Sequence, residues 1–431
     1  MNANVDAART RNWYHGWNIV AVCILCQTVA NGLTYNSFSL FLRDWSAQLH
    51  TPISSLTLCV ALMALVAAAA SPAIGVLADK YPARRLFVSG LLGMALFYIG
   101  VGSITATWQL LALYGVLAPI SLGLSTAITA NALISRWFVR RRGLALGLSA
   151  FGIGLAGVLL PPAIAALLPA VGWRTIWRGA GVLIAVVVVP IVLLSIRNRP
   201  AEEEGKYYLS GEGAPSAHHG RASGGSNQPG WREVIARRNF WLLLGIFLPI
   251  MALNGAMVQI IAPYAANHGL SQQLGAKLLS LLSLMHVLAT LVLGALSDRL
   301  GNRVLFAGLA LIMVAGAALL AVGTDLSLIT AGCVLVGLGG GVFALLAAAI
   351  AVEFGAEGVG RAFGLCMFFI PVTSLAPFSL AKTQEITGSY TPALIGLGIL
   401  VAISAVLSLL LHERRSLRLA GIQPQPQADP L

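Results

Sequence analysis

Twelve apolar stretches, each about the length of a bilayer-spanning helix, fill nearly the whole chain. They run over residues 17–42, 54–78, 86–106, 108–133, 143–168, 173–196, 239–264, 274–297, 303–323, 328–354, 361–381 and 390–411. A hydrocarbon core of roughly 30 Å takes about 20 helical residues at ~1.5 Å each. Backbone polar groups in lipid must pair internally, so runs this long are expected as helices. Barrel strands would alternate apolar and polar residues with period two, and these runs do not. Only 10% of the residues are charged and the mean hydropathy is +0.84, values foreign to a soluble domain. The expected fold class is an all-α membrane protein with 12 transmembrane helices, numbered below as spans 1 to 12.

The formal charge of +12 first suggests nucleic acid. The positions of the charges argue against it. With both termini in the cytoplasm, 22 of the 27 Lys and Arg residues fall inside. Only Arg43, Arg174, Arg178, Lys277 and Lys382 face out. This is the positive-inside asymmetry, and it also suits anionic lipid headgroups. No basic face with interleaved aromatics stands outside the spans, so no nucleic-acid partner is expected. Residues 1–14 are polar and the run after His15 is too long for a signal-peptide core, so a cleaved leader is not expected. Cys23, Cys26, Cys59, Cys333 and Cys366 all lie in apolar runs without metal-ligand spacing, and read as packing residues. No cofactor and no metal are expected.

The apolar pattern breaks once, over 198–237. That segment carries Glu202, Glu203 and Glu204 and then a Gly/Ser/His-rich stretch, and reads as a flexible cytoplasmic linker. The expected organisation is a six-helix bundle over 1–197, the linker over 198–237, a second bundle over 238–412 and a cytoplasmic tail over 413–431. His218 and His219 are adjacent in the linker and imply no metal site. The halves echo each other. Gly75-Val-Leu-Ala-Asp79 returns as Gly294-Ala-Leu-Ser-Asp298, and Arg142 returns as Arg361, both 219 residues on. Asn31-Gly32 in span 1 returns as Asn254-Gly255 in span 7, 223 residues on. Duplicated six-helix halves are the mark of a transporter that works by alternating access. A channel would want a filter loop or a ring of like charge, and neither is present.

At these residues the chain resembles the major facilitator superfamily from about residue 13 to 412. The strongest element joins spans 2 and 3: Gly75-x-x-x-Asp79-Lys80-x-x-x-Arg84-Arg85. A second copy is Gly294-x-x-x-Asp298-Arg299-x-Gly301-x-Arg303. The first copy has Pro82 where the family usually has Gly, which changes the turn and keeps the charges. Gly75 suits close helix approach. The resemblance implies a latch on the cytoplasmic side, with Asp79 facing the start of span 11 near Arg361 and Asp298 facing the start of span 5 near Arg142. Gly75, Asp79, Arg84, Arg142, Gly294, Asp298, Arg303, Glu353 and Arg361 are its expected members.

Three stretches narrow the resemblance to the monocarboxylate and oxalate/formate branch. They are Tyr14-His15-Gly16-Trp17, then Arg136-Trp137-Phe138 with Arg141-Arg142-Gly143, and Gly172-Trp173-Arg174. Members of that branch commonly carry an Arg in span 8 and often an Asp in span 1. Here span 8 has His286, and Asp44 lies only at the outer end of span 1. Drug–proton antiporters of the superfamily usually place an Arg early in span 4, near Tyr114 of this chain.

Ionisable groups at mid-membrane depth are functional candidates. His286, in LSLLSLMHVLATLVLG, is the clearest, because imidazole takes a proton near neutral pH and can bond an anion. The plain alternative is a neutral histidine bonded to a neighbouring helix. No carboxylate lies at the centre of a span, so proton coupling would fall to His286 or to the substrate. Gln27, Asn31, Thr34 and Tyr35 form a polar stripe on span 1, and Asn254, Gln259 and Tyr264 are the polar members of span 7. Lone amides often only hold helices together. The symmetry-matched pair Asn31 and Asn254 points further, to the substrate. The candidates for substrate contact are Asn31, Tyr35, Tyr114, Asn254, Gln259 and His286. Glycines 147, 152, 154 and 157 in span 5, and Gly339-Gly340-Gly341 in span 10, read as packing and hinge positions.

The expected protein is therefore a monomeric secondary transporter of an inner membrane, not an enzyme. Its partners are a small-molecule substrate, protons and the lipid bilayer. The favoured substrate is an organic anion, a monocarboxylate, moved by proton symport or anion exchange. Export of drug-like or hydrophobic compounds is the rival within transport. A non-transporting membrane receptor is the rival of another class, although the ~40-residue linker is short for a signalling domain.

Overall fold

The computed structural model describes residues 15–138, 142–197 and 231–411. Among them, eleven helical stretches are long and apolar enough to cross a bilayer. Spans 1 to 4 are His15–Asn36, Ile53–Ala78, Ala83–Val101 and Thr107–Ile134. Spans 7 to 12 are Arg238–Asn267, Gln272–Gly294, Asn302–Val322, Leu326–Ile350, Ala362–Thr387 and Thr391–Leu409. The remaining stretch, Ala145–Ser195, has 51 residues, about twice what a bilayer needs. Gly172 divides it, at φ 73° and ψ 157°, a backbone region essentially reserved for glycine. Spans 5 and 6 meet there, which makes twelve.

Many large apolar side chains point away from the protein, among them Leu96, Val186, Leu194, Leu291 and Val322. In water such a surface would drive aggregation, but against lipid tails it costs nothing.

The two copies of the loop motif turn differently. Pro82 sits at φ −59° and ψ 128° directly before the helix that opens at Ala83. The corresponding Gly301 takes φ 79° and ψ 150° between spans 8 and 9. Proline fixes a negative φ, so the first copy reaches its next helix by an extended residue, where the second uses a glycine-only conformation.

Four spans contain π-helical or 3₁₀ segments. Five-residue π-helical segments occur at Gly32–Asn36 in span 1, Leu113–Leu117 in span 4 and Ile184–Val188 in span 6. A 3₁₀ segment, Leu338–Gly341, interrupts span 10. Such segments free backbone carbonyls and are frequent at functional sites.

The described residues form two compact units. One contains residues 15–38 and 65–197, the other 39–64 and 231–411. In the first, rings pack edge-on around the outer halves of spans 3, 4 and 6. Phe97 lies 5.0 Å from Tyr114 and 6.0 Å from Trp177, and Tyr98 lies 5.2 Å from Trp177. Two of the three stretches that carry the narrower resemblance meet at its inner end. His15 Nε2 donates to Ser195 O at 2.9 Å, and the His15 ring is 5.6 Å from Trp137. Trp17 meets Phe138 edge-on at 5.0 Å, and Trp137 Nε1 donates to Arg197 O at 3.1 Å.

In the second unit, Trp231–Ala236 forms a short helix with Val234 buried. The linker was expected to run unstructured to residue 237. Its last turn is instead ordered by that buried valine and by Arg237, whose Nη1 donates to Glu353 O at 3.0 Å. Residues 198–230, with His218 and His219, lie outside the described residues, as do residues 1–14 and 412–431.

Residues 39–64 join the second unit through polar contacts. The helix Ile53–Lys80 opens after Pro52, which has no side chain able to cap it. Glu385 supplies the cap from 331 residues away: Ser54 N donates to Oε1 and Ser54 Oγ to Oε2, both at 2.8 Å. A carboxylate there satisfies an otherwise unpaired N–H and meets the positive end of the helix dipole. Gln272 Nε2 adds a bond to Leu40 O at 3.3 Å. In this segment burial raises the Asp44 carboxyl above its ordinary value, with Arg43 pulling it back.

Candidate functional site

Within the first unit, the polar stripe of span 1 surrounds its π-helical turn. Ser37 N reaches back five residues to Gly32 O at 2.8 Å, so a carbonyl nearby loses its regular partner. Side chains take over. Tyr114 OH donates to Thr34 O at 3.3 Å, and Asn36 Nδ2 donates to Ile153 O at 3.2 Å. Thr34 Oγ1 donates to Ala30 O at 2.8 Å, and Tyr98 OH donates to Val29 O at 2.8 Å. Tyr114 is fully buried between Phe38 and Phe97, so its hydroxyl serves the backbone of span 1. Asn31 is half-buried and its Nδ2 donates to Gln27 O at 2.9 Å. Tyr35 is likewise half-buried. These two are the candidates of this unit with surface left to offer.

Span 5 closes on the same turn. Thr28 Oγ1 bonds Gly152 O at 2.9 Å, and a Cβ at Gly152 would stand only 2.5 Å from Ile24 O. Gly152 is thus the position in span 5 where close approach is made, and Gly147 faces open space. Tyr98 and Asn36 were not singled out from sequence. Asn36 had a signal: 223 residues further on stands Gln259, the offset that pairs Asn31 with Asn254.

Within the second unit, Asn254 is buried and its Nδ2 donates to Val336 O at 2.9 Å, beside the 3₁₀ break of span 10. It bonds a carbonyl at the junction of the α and 3₁₀ segments of span 10. Gln259 is buried and its Oε1 has no hydrogen-bond partner among the described residues. His286 is half-buried near the middle of span 8, and its ring makes no hydrogen bond to a described residue. The ring rests on Gly340, where an added Cβ would fall inside the imidazole. Gly340, in the glycine triplet of span 10, therefore makes room for the histidine.

For the cytoplasmic motif, the side chains of Asp79, Arg142, Asp298 and Arg361 lie outside the described residues. Arg84 and Arg303 are exposed at the ends of their helices. The close approach expected at Gly75 is not made by any described atom, since nothing lies within 4 Å of a Cβ there, and at Gly294 the nearest is Ala344 Cβ at 3.6 Å. Glu353 accepts from Asn239 Nδ2 at 2.8 Å and stands 3.8 Å from Arg237 Nη1. It ties span 10 to the start of span 7. No cluster of metal-ligating residues occurs among the described residues.

The sequence profile of the Major Facilitator Superfamily matches residues 24–377, and the chain belongs to that family. Monocarboxylate transporter 11 of Mus musculus is 32% identical over 191 residues, 43% of this chain and 40% of its own. The fujikurins efflux protein of Gibberella fujikuroi is 33% identical over 129 residues, 30% of this chain and 27% of its own. Among solved structures, a bacterial homolog of the human lysosomal transporter Spinster, inward-facing and unoccupied, superposes with a TM-score of 0.70. It is 15% identical and covers 92% of this chain and 96% of its own. The protein is thus a transporter of the Major Facilitator Superfamily, with the twelve-helix fold of that family.

Proposed function

We propose that this transporter moves a small organic anion, a monocarboxylate, by alternating access with proton symport or anion exchange. The observation that carries the reading is His286. It is an imidazole at mid-span, and among the described residues it has neither a hydrogen-bond partner nor a charged neighbour at its depth. A protonated imidazole attracts a carboxylate, and proton and anion then travel as a neutral pair, which lowers the cost of crossing lipid. Gln259, with its unpaired buried oxygen, and the half-buried Asn31 and Tyr35 are the proposed polar contacts of the substrate. Tyr114 and Asn254 are proposed to act through the backbone turns that they hold. Asp79 and Asp298 are proposed as the charges of a cytoplasmic latch, in an inner membrane, with both termini in the cytoplasm and the protein working as a monomer.

The test is uptake of labelled acetate, lactate and oxalate into proteoliposomes, with and without an inward-directed proton gradient. Uptake of at least one of them that rises with the gradient or with a trans-loaded anion supports the reading. No uptake of any of them in protein that still unfolds cooperatively on heating removes it. Export of apolar compounds is the second reading, favoured by the likeness to the efflux protein and by the lack of any described carboxylate at a span centre.

A further inference from the structure

We infer that Gly340 is a positioning residue for His286: the break in span 10 is a seat that fixes the depth and orientation of the imidazole. This rests on the reading of His286 as the titrating group of transport. No described residue hydrogen-bonds the ring, so among the described residues packing orients it, and Gly340 packs against it. The contact belongs to a continuous seam. A Cβ at Gly337 would stand 2.7 Å from Met285 Cβ, and one at Gly341 would stand 2.9 Å from Ala289 O. In 3₁₀ geometry residues three apart eclipse, which sets Gly337 and Gly340 in one row against span 8. On the other side, Asn254 pins Val336 O and lies 3.4 Å from where a Gly339 Cβ would be. The seat is thus braced by span 7. A regular α-helix with side chains at these positions would push the ring out.

Titratable and charged groups on the packed elements stand away from it. Cys333 lies about two turns further out on span 10, Tyr264 donates to Leu320 O at 2.6 Å, Lys277, Arg303 and Asp325 are near the ends of their helices, and Glu353 lies beyond the inner end of span 10, bonded to Asn239. A displaced ring would therefore meet no new ionic partner among the described residues, only a different degree of exposure.

The experiment reads the ring directly, without a substrate. Purified protein is treated with diethyl pyrocarbonate across pH 5 to 9, and modification at His286 is followed by peptide mass spectrometry, with His50 as the internal control. Gly340→Ala is expected to raise the His286 rate several-fold and to move its pH midpoint, with His50 unchanged. Gly308→Ala on span 9, where an added Cβ meets no described atom, should leave both as in the wild type. If Gly340→Ala does not fold, Gly340→Ala with His286→Ala must fold, because the clash has been removed. A wild-type rate and midpoint in Gly340→Ala, or a double variant that also fails to fold, overturns the inference. Transport separates it from the parent reading. If His286→Gln transports as the wild type while Gly340→Ala still shifts the labelling, the seat stands and the transport role of the histidine falls.

Discussion

Asn254 shows how a residue chosen for one role acquires another once its neighbours are known. Its place in a polar stripe and its match with Asn31 were legible in the sequence. Its partner was not, because the bond to Val336 O crosses between helices, at the junction of α and 3₁₀ geometry in span 10. Removing the amide takes away a buried hydrogen bond, which is worth about 0.5–1.5 kcal/mol. Asn254→Ala should lower the unfolding temperature in a thermal-shift assay and change the pH profile of transport little. An unchanged unfolding temperature would return Asn254 to the substrate. Gln259 is the contrasting case. Its buried oxygen is unpaired among the described residues, which no periodicity could reveal, and which makes it the stronger candidate of the two on span 7.

At the scale of helices, spacing and hydropathy located all twelve spans, since length and apolarity are set by the bilayer. The irregularities were harder to read. The π turn in span 1 is held by bonds of Tyr98, Tyr114 and Asn36 that cross between elements, which no local pattern shows. The break at Gly172 holds a conformation that costs other residues about 1–3 kcal/mol. Gly172→Ala should therefore reduce stability by that order, seen as a lower unfolding temperature, while Gly147→Ala, facing open space, should not. The start of the helix at Ile53 depends on Glu385 in the same way that most helices depend on a local cap. Glu385→Ala should cost about 1 kcal/mol. It should also raise labelling of a cysteine placed at Ser46 by a membrane-impermeant maleimide. Unchanged labelling and stability would show that water caps the helix as well as Glu385 does.

For the molecule as a whole, the repeat of Gly75–Arg84 at Gly294–Arg303 and the asymmetry of basic residues make the twelve-helix architecture legible in the sequence. What the repeat hid is that residues 39–64 lie with the second unit, because the polar contacts of Ser54 and Leu40 are made 232 or more residues away. Topology follows from charge: reporters fused at residue 220 and at the C-terminus should both read as cytoplasmic. An external signal from either would break the two-bundle assignment. The substrate was the least legible part. In the described residues the span centres carry one imidazole and a few amides, and specificity among small anions is set by contacts that a motif does not encode. The most direct test of the account is accumulation of a labelled monocarboxylate in proteoliposomes under an imposed proton gradient, with wild type beside His286→Gln. The account predicts that the wild type concentrates the anion above equilibrium and that His286→Gln, which keeps hydrogen bonding without the charge, only equilibrates it. Gradient-driven accumulation by His286→Gln equal to that of the wild type would contradict it.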